Sequence, residues 1–595
     1  MLPQTDLTGA SNQAGVSGAT NHAGVSGASN QAGVSGATNH AGGSSTISHT
    51  AVSGTATRFP IEIRRFPWIK RLAADYAFDF ERVADFFAGN PAAPSAWRDA
   101  ITRAQRHPRQ RDTIADVVLA QQRTRGAPPD ALAAADRLRD PESVAIVTGQ
   151  QAGLFGGPLF TLLKALTAIR LAERTAAEHR VPTVAVFWID AEDHDWDEVR
   201  ACGALDAELN FVRIALGTPE GAGEGPVARV RLDDSVNAAV ATLASTLPPT
   251  EFSPALLDEL RRAYSPGAGM ADAFGRWLES LLGPRGLVVF DSSDPAAKPI
   301  VSTLFAREIE HAGETSRLAA AAGAQLIARG YHAQVTPQDD HAALFHLDGT
   351  REGIRVEDGR LLLGHSTSTK EAMLQRVRTN PTAFSPNVLL RPVVQDTLFP
   401  TACYVAGPNE MAYLAQLRGI YAAFGVPMPL MQQRASATIL DSNAMRFLAR
   451  HEMSLESLRA QDEGALNQLF KSQFPPAVDS SLEEAAREVA ERMGTLARAV
   501  SELDATLEAA ARSTLGRMQD DLKKLQGKII QAVKRKDETL RRQFKHAQAQ
   551  AFPGGQPQER EVGFVYFLNK HGGGLIDRLN EELPLDQGRH WVITI

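Results

Sequence analysis

Short apolar runs that end in polar residues alternate along this chain with stretches of helical periodicity. Val144–Gly149 is the first such run; a glycine-rich loop follows, and a helical pattern begins near Leu159. Val184–Ile189 is a second continuous run, and Leu287–Phe290, Val388–Leu390 and Cys403–Ala406 read as three more. Unbroken apolar runs of this length suit strands covered on both faces. The strand–helix–strand order predicts an α/β fold with a parallel sheet and a right-handed crossover. Helical stretches precede it around Asp99–Arg106 and Arg111–Arg123.

Two segments interrupt this pattern. Ala201–Asp233 is short and β-like and opens an insertion over about 201–280. Tyr331–Leu363 reads as a β-meander within an insertion at about 330–365, with hairpin turns at Asp348-Gly349 and Asp358-Gly359. From Leu482 the spacing changes to heptads: Val489, Met493, Leu496, Val500, Leu503 and Leu507, then Met518, Leu522, Leu525 and Ile529. This predicts a coiled coil. Ser481 and Glu484 form a capping box after Pro475-Pro476. A break at Ala510–Leu515 fits one long helix or an antiparallel hairpin equally. After Phe552-Pro553-Gly554-Gly555 the chain returns to the core and reaches a strand-like WVITI. The expected organisation is therefore a core over 56–450, a helical coil over 451–551 and a returning segment over 552–595.

Composition removes several classes of function. A formal net charge of −7 over 595 residues argues against a general binder of nucleic acid or anionic membrane. Cys202 and Cys403 lie far apart, which leaves no disulfide framework or Cys-x-x-Cys metal site and suits a reducing compartment. No apolar run approaches the roughly 18 residues of a membrane helix, and no secretory signal pattern is present. The expectation is a soluble cytoplasmic protein. Residues 1–55 differ in kind: GASNQAGVS at Gly9 recurs with small changes at Gly18, Gly27 and Gly36. So little apolar bulk predicts a disordered tail.

Candidate chemistry gathers where strands end. Gly149, Gly153, Gly156 and Gly157 either cradle an anion beside a helix N-terminus or simply allow a tight turn. Gln150 and Gln151 are candidate substrate contacts in that loop. Asp190, Glu192, Asp193 and His194 follow the second strand, where ligands of open α/β sheets sit. They suit amine binding, proton transfer or the holding of a divalent ion, and a solvated acidic loop is the plain alternative. Arg391 suits a carboxylate, with Gln395 beside it. Asn409 and Glu410 are explained largely as helix caps. Tyr566, Asn569 and Lys570 can hold an adenine nucleotide, or merely close a helix before glycines. The histidine spacings match no strong metal template, and no metal ligands are assigned.

TGQQAGLFGGPLFTLLKA, FWIDAEDHDWDEV and RPVVQDTLFPTACYVAGPNEMAYLAQL, in that order, resemble the BshC family of bacillithiol biosynthesis. The resemblance runs from about Arg58 onward. It implies a Rossmann-like parallel-sheet core with connecting insertions and a coiled coil used for homodimerisation. It also implies ligation of cysteine to glucosaminyl-malate. Amide formation in water needs activation, so ATP is the expected co-substrate. Asp193 would then anchor the cysteine ammonium or deprotonate the attacking amine, and His194 would orient it or shuttle a proton. The core is also similar to class I aminoacyl-tRNA synthetases, but the His-Ile-Gly-His and Lys-Met-Ser-Lys-Ser sequences and the cysteine-rich zinc site are absent. Another ATP-dependent ligase or nucleotidyltransferase, or a non-catalytic coiled-coil scaffold, are the alternatives.

Overall fold

The computed structural model describes residues 58–595 except Asp339, Gly349, Asp358, His365, Phe474 and Pro475, and leaves out the side chains of Pro476, Ala505, Val533, Lys534 and Lys536. The nonapeptide repeats, the hairpin-tip residues Gly349 and Asp358, and Pro475 therefore lie outside the described residues.

Five strands build the core: β1 (Val144–Gln150), β2 (Thr183–Ile189), β3 (Val288–Asp291), β4 (Thr401–Ala406) and β5 (Leu430–Gln433). All pair in parallel, in the order β5-β4-β1-β2-β3. Alternate residues enter two separate hydrophobic clusters. Ile146, Phe187, Val289 and Val405 face one, and Val147, Val186, Val288 and Tyr404 face the other. Burial on both faces is why these strands are apolar throughout. Helix α1 (Leu159–His179) connects β1 to β2.

The predicted strand at Val388–Leu390 does not form. The pairing strand is Phe384–Pro386, and residues 388–390 make a turn into helix α2 (Arg391–Leu398). Asn387 Oδ1 accepts from the N–H groups of Leu389 (3.0 Å) and Leu390 (3.2 Å), which closes that turn. These residues are apolar because they pack, not because they pair.

The first insertion begins as an antiparallel hairpin, Ala201–Leu205 with Phe211–Ala215, and continues through helices to β3. The second contains the expected meander: His341–Asp348, Thr350–Glu357, Arg360–Leu363 and Ser366–Ser368 are successive antiparallel strands, and Phe384–Pro386 pairs along the His341–Asp348 edge.

The heptads form two helices, α3 (Pro476–Ser501) and α4 (Ala505–Lys536), which pack against each other as a hairpin. The break falls at Glu502–Asp504 and not at Ala510–Leu515. Asp504 Oδ1 accepts from Thr506 N at 2.8 Å and thereby starts α4. Ser481 caps nothing: it lies inside α3 and its hydroxyl donates to the Ala477 carbonyl at 2.7 Å. Beyond the hairpin, strand Arg589–Ile593 inserts between Arg58–Glu62 and Ser436–Ile439, antiparallel to the first and parallel to the second. Among the described residues no helix is long and apolar enough to cross a membrane.

Candidate active site

The strand order reverses between β1 and β4, so the crevice at their carboxyl ends is the natural ligand position of this sheet. Lys164 of α1 lies at its floor, buried. Its ammonium donates to the Gly149 carbonyl (2.8 Å) and Gln150 Oε1 (3.1 Å), and pairs with Glu410 Oε2 (2.7 Å). Burial lowers the Lys164 pKa against the opposing pull of Glu410. Glu410 also accepts from Gly407 N–H at 2.5 Å in the preceding turn, but its side chain makes no cap bond to helix Met411–Leu414, so the expected capping does not account for it.

Beside this floor, Arg391 is the first residue of α2 and is buried. Its Nε lies 3.5 Å from Asp190 Oδ2, its Nη2 donates to Tyr413 Oη at 3.0 Å, and its Nη1 reaches Gln395 Oε1 at 3.5 Å. Asp190, Arg391 and Gln395 are thus brought together. Burial raises the Asp190 pKa, and Arg391 works against that. Glu192 forms a buried pair with Lys298, and its charge also acts on Arg351.

Asp193 has several partners. Oδ2 accepts from Gln151 Nε2 at 2.8 Å, while Oδ1 accepts from His194 N (2.8 Å) and lies 3.1 Å from His194 Nδ1 and 3.6 Å from Arg351 Nη1. Burial pushes its pKa up, but the His194 ring, the Arg351 charge, the His194 N–H and Gln151 together hold it at about 2. Asp193 is therefore an anion at any physiological pH. His194 is half-buried. Both insertions reach this point: Val227 N–H donates to the Asp193 carbonyl at 2.7 Å, and Arg351 arrives on strand Thr350–Glu357.

The glycine-rich loop is a closed turn. Gly156 N–H donates to the Gly153 carbonyl and to Tyr264 Oη (both 3.1 Å), Gly153 N–H to Gln151 O, and Gly157 N–H to Leu154 O. The Leu159 N–H at the start of α1 donates to Val562 O at 2.8 Å. These amides are engaged within the protein. Gly149 has a separate reason to be glycine, since a Cβ there would meet the Trp188 carbonyl at 2.8 Å. Tyr566, Asn569 and Lys570 lie on helix Phe564–His571, whose first N–H donates to the Gly157 carbonyl of that loop at 3.3 Å. Asn569 accepts from Ser253 Oγ (2.8 Å) and donates to Pro248 O (2.8 Å), so its amide fastens this helix to the first insertion. Tyr566 is buried and Lys570 exposed.

Sequence reasoning passed over Lys164, Lys298 and Arg351. Lys164 carried a signal, a lone cation in the apolar helix LFTLLKALTAI. Arg351 carried none, because long-range packing alone brings it to Asp193.

A doubly wound parallel sheet with buried acids and guanidinium groups at its switch point defines a Rossmann-like α/β enzyme core, here joined to a helical hairpin. The family model "Bacillithiol biosynthesis BshC, N-terminal Rossmann-like domain" matches residues 60–435, and "Bacillithiol biosynthesis BshC, C-terminal coiled-coil domain" matches 437–595. The chain belongs to the BshC family and is an enzyme of the ligase class. It is 36% identical over 542 residues to a protein of Salinibacter ruber, covering 90% of this chain and 98% of that one. It is 32% identical over 526 residues to one of Koribacter versatilis (87% and 96%), and 32% over 465 residues to one of Chlorobaculum tepidum (75% and 82%). Each of these relatives is named "Putative cysteine ligase BshC".

Proposed function

We propose that this enzyme joins L-cysteine to glucosaminyl-malate, forming bacillithiol in the cytoplasm. The observation that carries this reading is the pairing, in one crevice, of an ionised Asp193 framed by Gln151 and His194 with an Arg391–Gln395 unit facing Asp190. One half suits an amine and the other a carboxylate, and the proposed substrates carry both groups.

The chemistry requires an activated cysteine carboxyl, with a nucleoside triphosphate as co-substrate. The glucosamine nitrogen attacks the activated carbonyl carbon and a C–N bond forms. The C–O bond to the phosphoryl or adenylyl leaving group breaks, and the nitrogen gives up a proton. Asp193 holds the amine in place, and His194, its ring hydrogen-bonded to Asp193, carries the proton outward. Since the loop amides of Gly153, Gly156 and Gly157 are already bonded internally, no step is assigned to them or to the residues around Tyr566. A second copy of the chain is the proposed partner of the α3–α4 hairpin, where Leu496, Leu507, Met518 and Leu525 remain exposed.

Thiol profiling by mass spectrometry tests this reading in a strain lacking the gene. Accumulated glucosaminyl-malate and missing bacillithiol, restored by the native chain but not by Asp193→Ala with His194→Ala, is the expected result. Unchanged bacillithiol in a host with no second copy would sink the ligase reading in favour of a scaffold. A different accumulated precursor would point to another ligation.

A further inference from the structure

Arg351 is poorly satisfied for a buried cation. Its side chain is 10% exposed, yet its polar contacts are all long: Asp193 Oδ1 at 3.6 Å, His194 Nδ1 at 3.4 Å and Pro386 O at 3.4 Å. Its Nε is buried with no hydrogen-bond partner. A guanidinium offers five donors in a planar fork, and leaving them unmet in a dry site costs free energy. Burial lowers the Arg351 pKa, and the charges of Asp193, Glu192 and Asp190 oppose that without closing a hydrogen bond to its Nε. The position is nonetheless fixed. The guanidinium carbon lies 3.8 Å from the Phe345 ring centroid, and the Arg351 N–H donates to Glu224 O of the first insertion at 3.2 Å. A group held this firmly, with its Nε unused and its other donors only loosely engaged, is set for a ligand that accepts.

The other side of Asp193 is complementary. Gln151 gives its Nε2 to Asp193, and its Oε1 is buried without a partner. An unused donor and an unused acceptor thus flank one carboxylate. Arg391 meets the far side of the same turn through Asp190, whose carboxyl feels both guanidiniums.

We infer that Arg351 is a specificity-determining residue which binds a second carboxylate of the acceptor substrate, while Arg391 binds the first. This rests on the proposed ligase reading and adds a division of labour: acceptors with two carboxylates are selected because the second insertion supplies its own guanidinium. Asp193 and Gln151 then face the amine between the two anions. Arg351 thereby also makes the insertion part of the site, so that substrate binding and the placement of strand Thr350–Glu357 are coupled.

The test is calorimetric binding of two ligands to the full chain: glucosaminyl-malate, and glucosaminyl-lactate, which lacks one carboxylate. The native protein should prefer the malate ligand by about 10- to 100-fold, the scale of a charge-assisted hydrogen-bonded pair. Arg351→Gln should abolish that preference by weakening only the malate ligand, whereas Arg391→Gln should weaken both. Arg351→Lys retains the cation beside Asp193 but not the fork, and should show an intermediate preference; it serves if the glutamine variant does not fold. A preference that survives in Arg351→Gln, or an equal loss for both ligands, would overturn the assignment and leave Arg351 as a latch on Asp193. Failure of the native protein to bind glucosaminyl-malate, with cysteine and ATP present or absent, would instead overturn the ligase reading and the assignment with it.

Discussion

Lys164 Nζ and Glu410 Oε2 lie 2.7 Å apart beneath the crevice, so that α1 and the turn after β4 are joined across the point where the strand order reverses. Because Lys164 also holds the Gly149 carbonyl, one ammonium fixes the relative height of the ends of β1 and β4. Lys164→Met should cost about 3–5 kcal/mol, the scale for stranding one member of a buried pair. Adding Glu410→Gln should restore part of that loss. Urea unfolding of the two single variants and the double variant measures the coupling, and additive losses would refute it.

His590 provides a pH test. It is buried between Ser436 Oγ at 2.7 Å and Thr438 Oγ1 at 2.9 Å, and burial, opposed by Glu559 and reinforced by Arg434, lowers its pKa to about 4. A base whose pKa falls on folding binds more protons unfolded than folded between those two values. Its contribution is therefore complete above about 6.5 and is lost as pH falls toward 4. The neighbouring Glu559, held at about 2 against its burial by Arg434, starts to lose its contribution only below the ordinary glutamate value of 4.5. Between pH 6.5 and 4.5 the stability should fall by up to about 1.4 kcal/mol per pH unit through His590. His590→Gln should flatten that slope in pH-dependent urea unfolding; an unchanged slope would place the titration elsewhere.

Gly156 has a φ of +93°, and a Cβ there would come within 2.1 Å of Phe564 Cζ. Gly156→Ala should destabilise the protein by about 2–4 kcal/mol through overpacking and backbone strain. The loss should be smaller in a Phe564→Ala background, where the contact with Phe564 is gone but the left-handed backbone and the approach to Trp277 Cδ1 (3.0 Å) remain. Thermal unfolding of the four combinations reads this directly, and identical losses in both backgrounds would exclude the contact.

The exposed apolar side of the α3–α4 hairpin leads to a fourth expectation. Replacing Leu496, Leu507 and Leu525 with Glu should shift the sedimenting species from a dimer to a single 64.1 kDa chain while leaving core stability unchanged. A native protein that already sediments as a monomer would dismiss this surface as a site for a second copy.

The core strands β1 to β4 were readable wherever double-sided burial demanded continuous apolar residues, with Val388–Leu390 as the misplaced exception. That segment is equally apolar, but Asn387 bends it out of pairing. β5 was missed because LMQQ, Leu430–Gln433, is only half apolar although all four residues are buried. The helical character of the coil was legible and its turn was not, since the Asp504 cap replaces the glycine or proline that usually marks a reversal. At the site, Asp190 and Asp193 were found because they directly follow a strand. Arg351 lies far along the chain in a strand of mixed character, and only tertiary packing reveals its address.

Strand Arg589–Ile593 separates Arg58–Glu62 from Ser436–Ile439, and Val562 and Phe564 close the glycine-rich loop. A ribosome that has finished the Rossmann-like strands has therefore not yet made the residues that seal them. The nascent core must wait, with its loop uncovered and an edge unpaired, until the hairpin and the segment after it emerge. The candidate site is consequently completed only after the coil has been made, and a polypeptide arrested within the coil would be an open sheet exposed to chaperones and proteases.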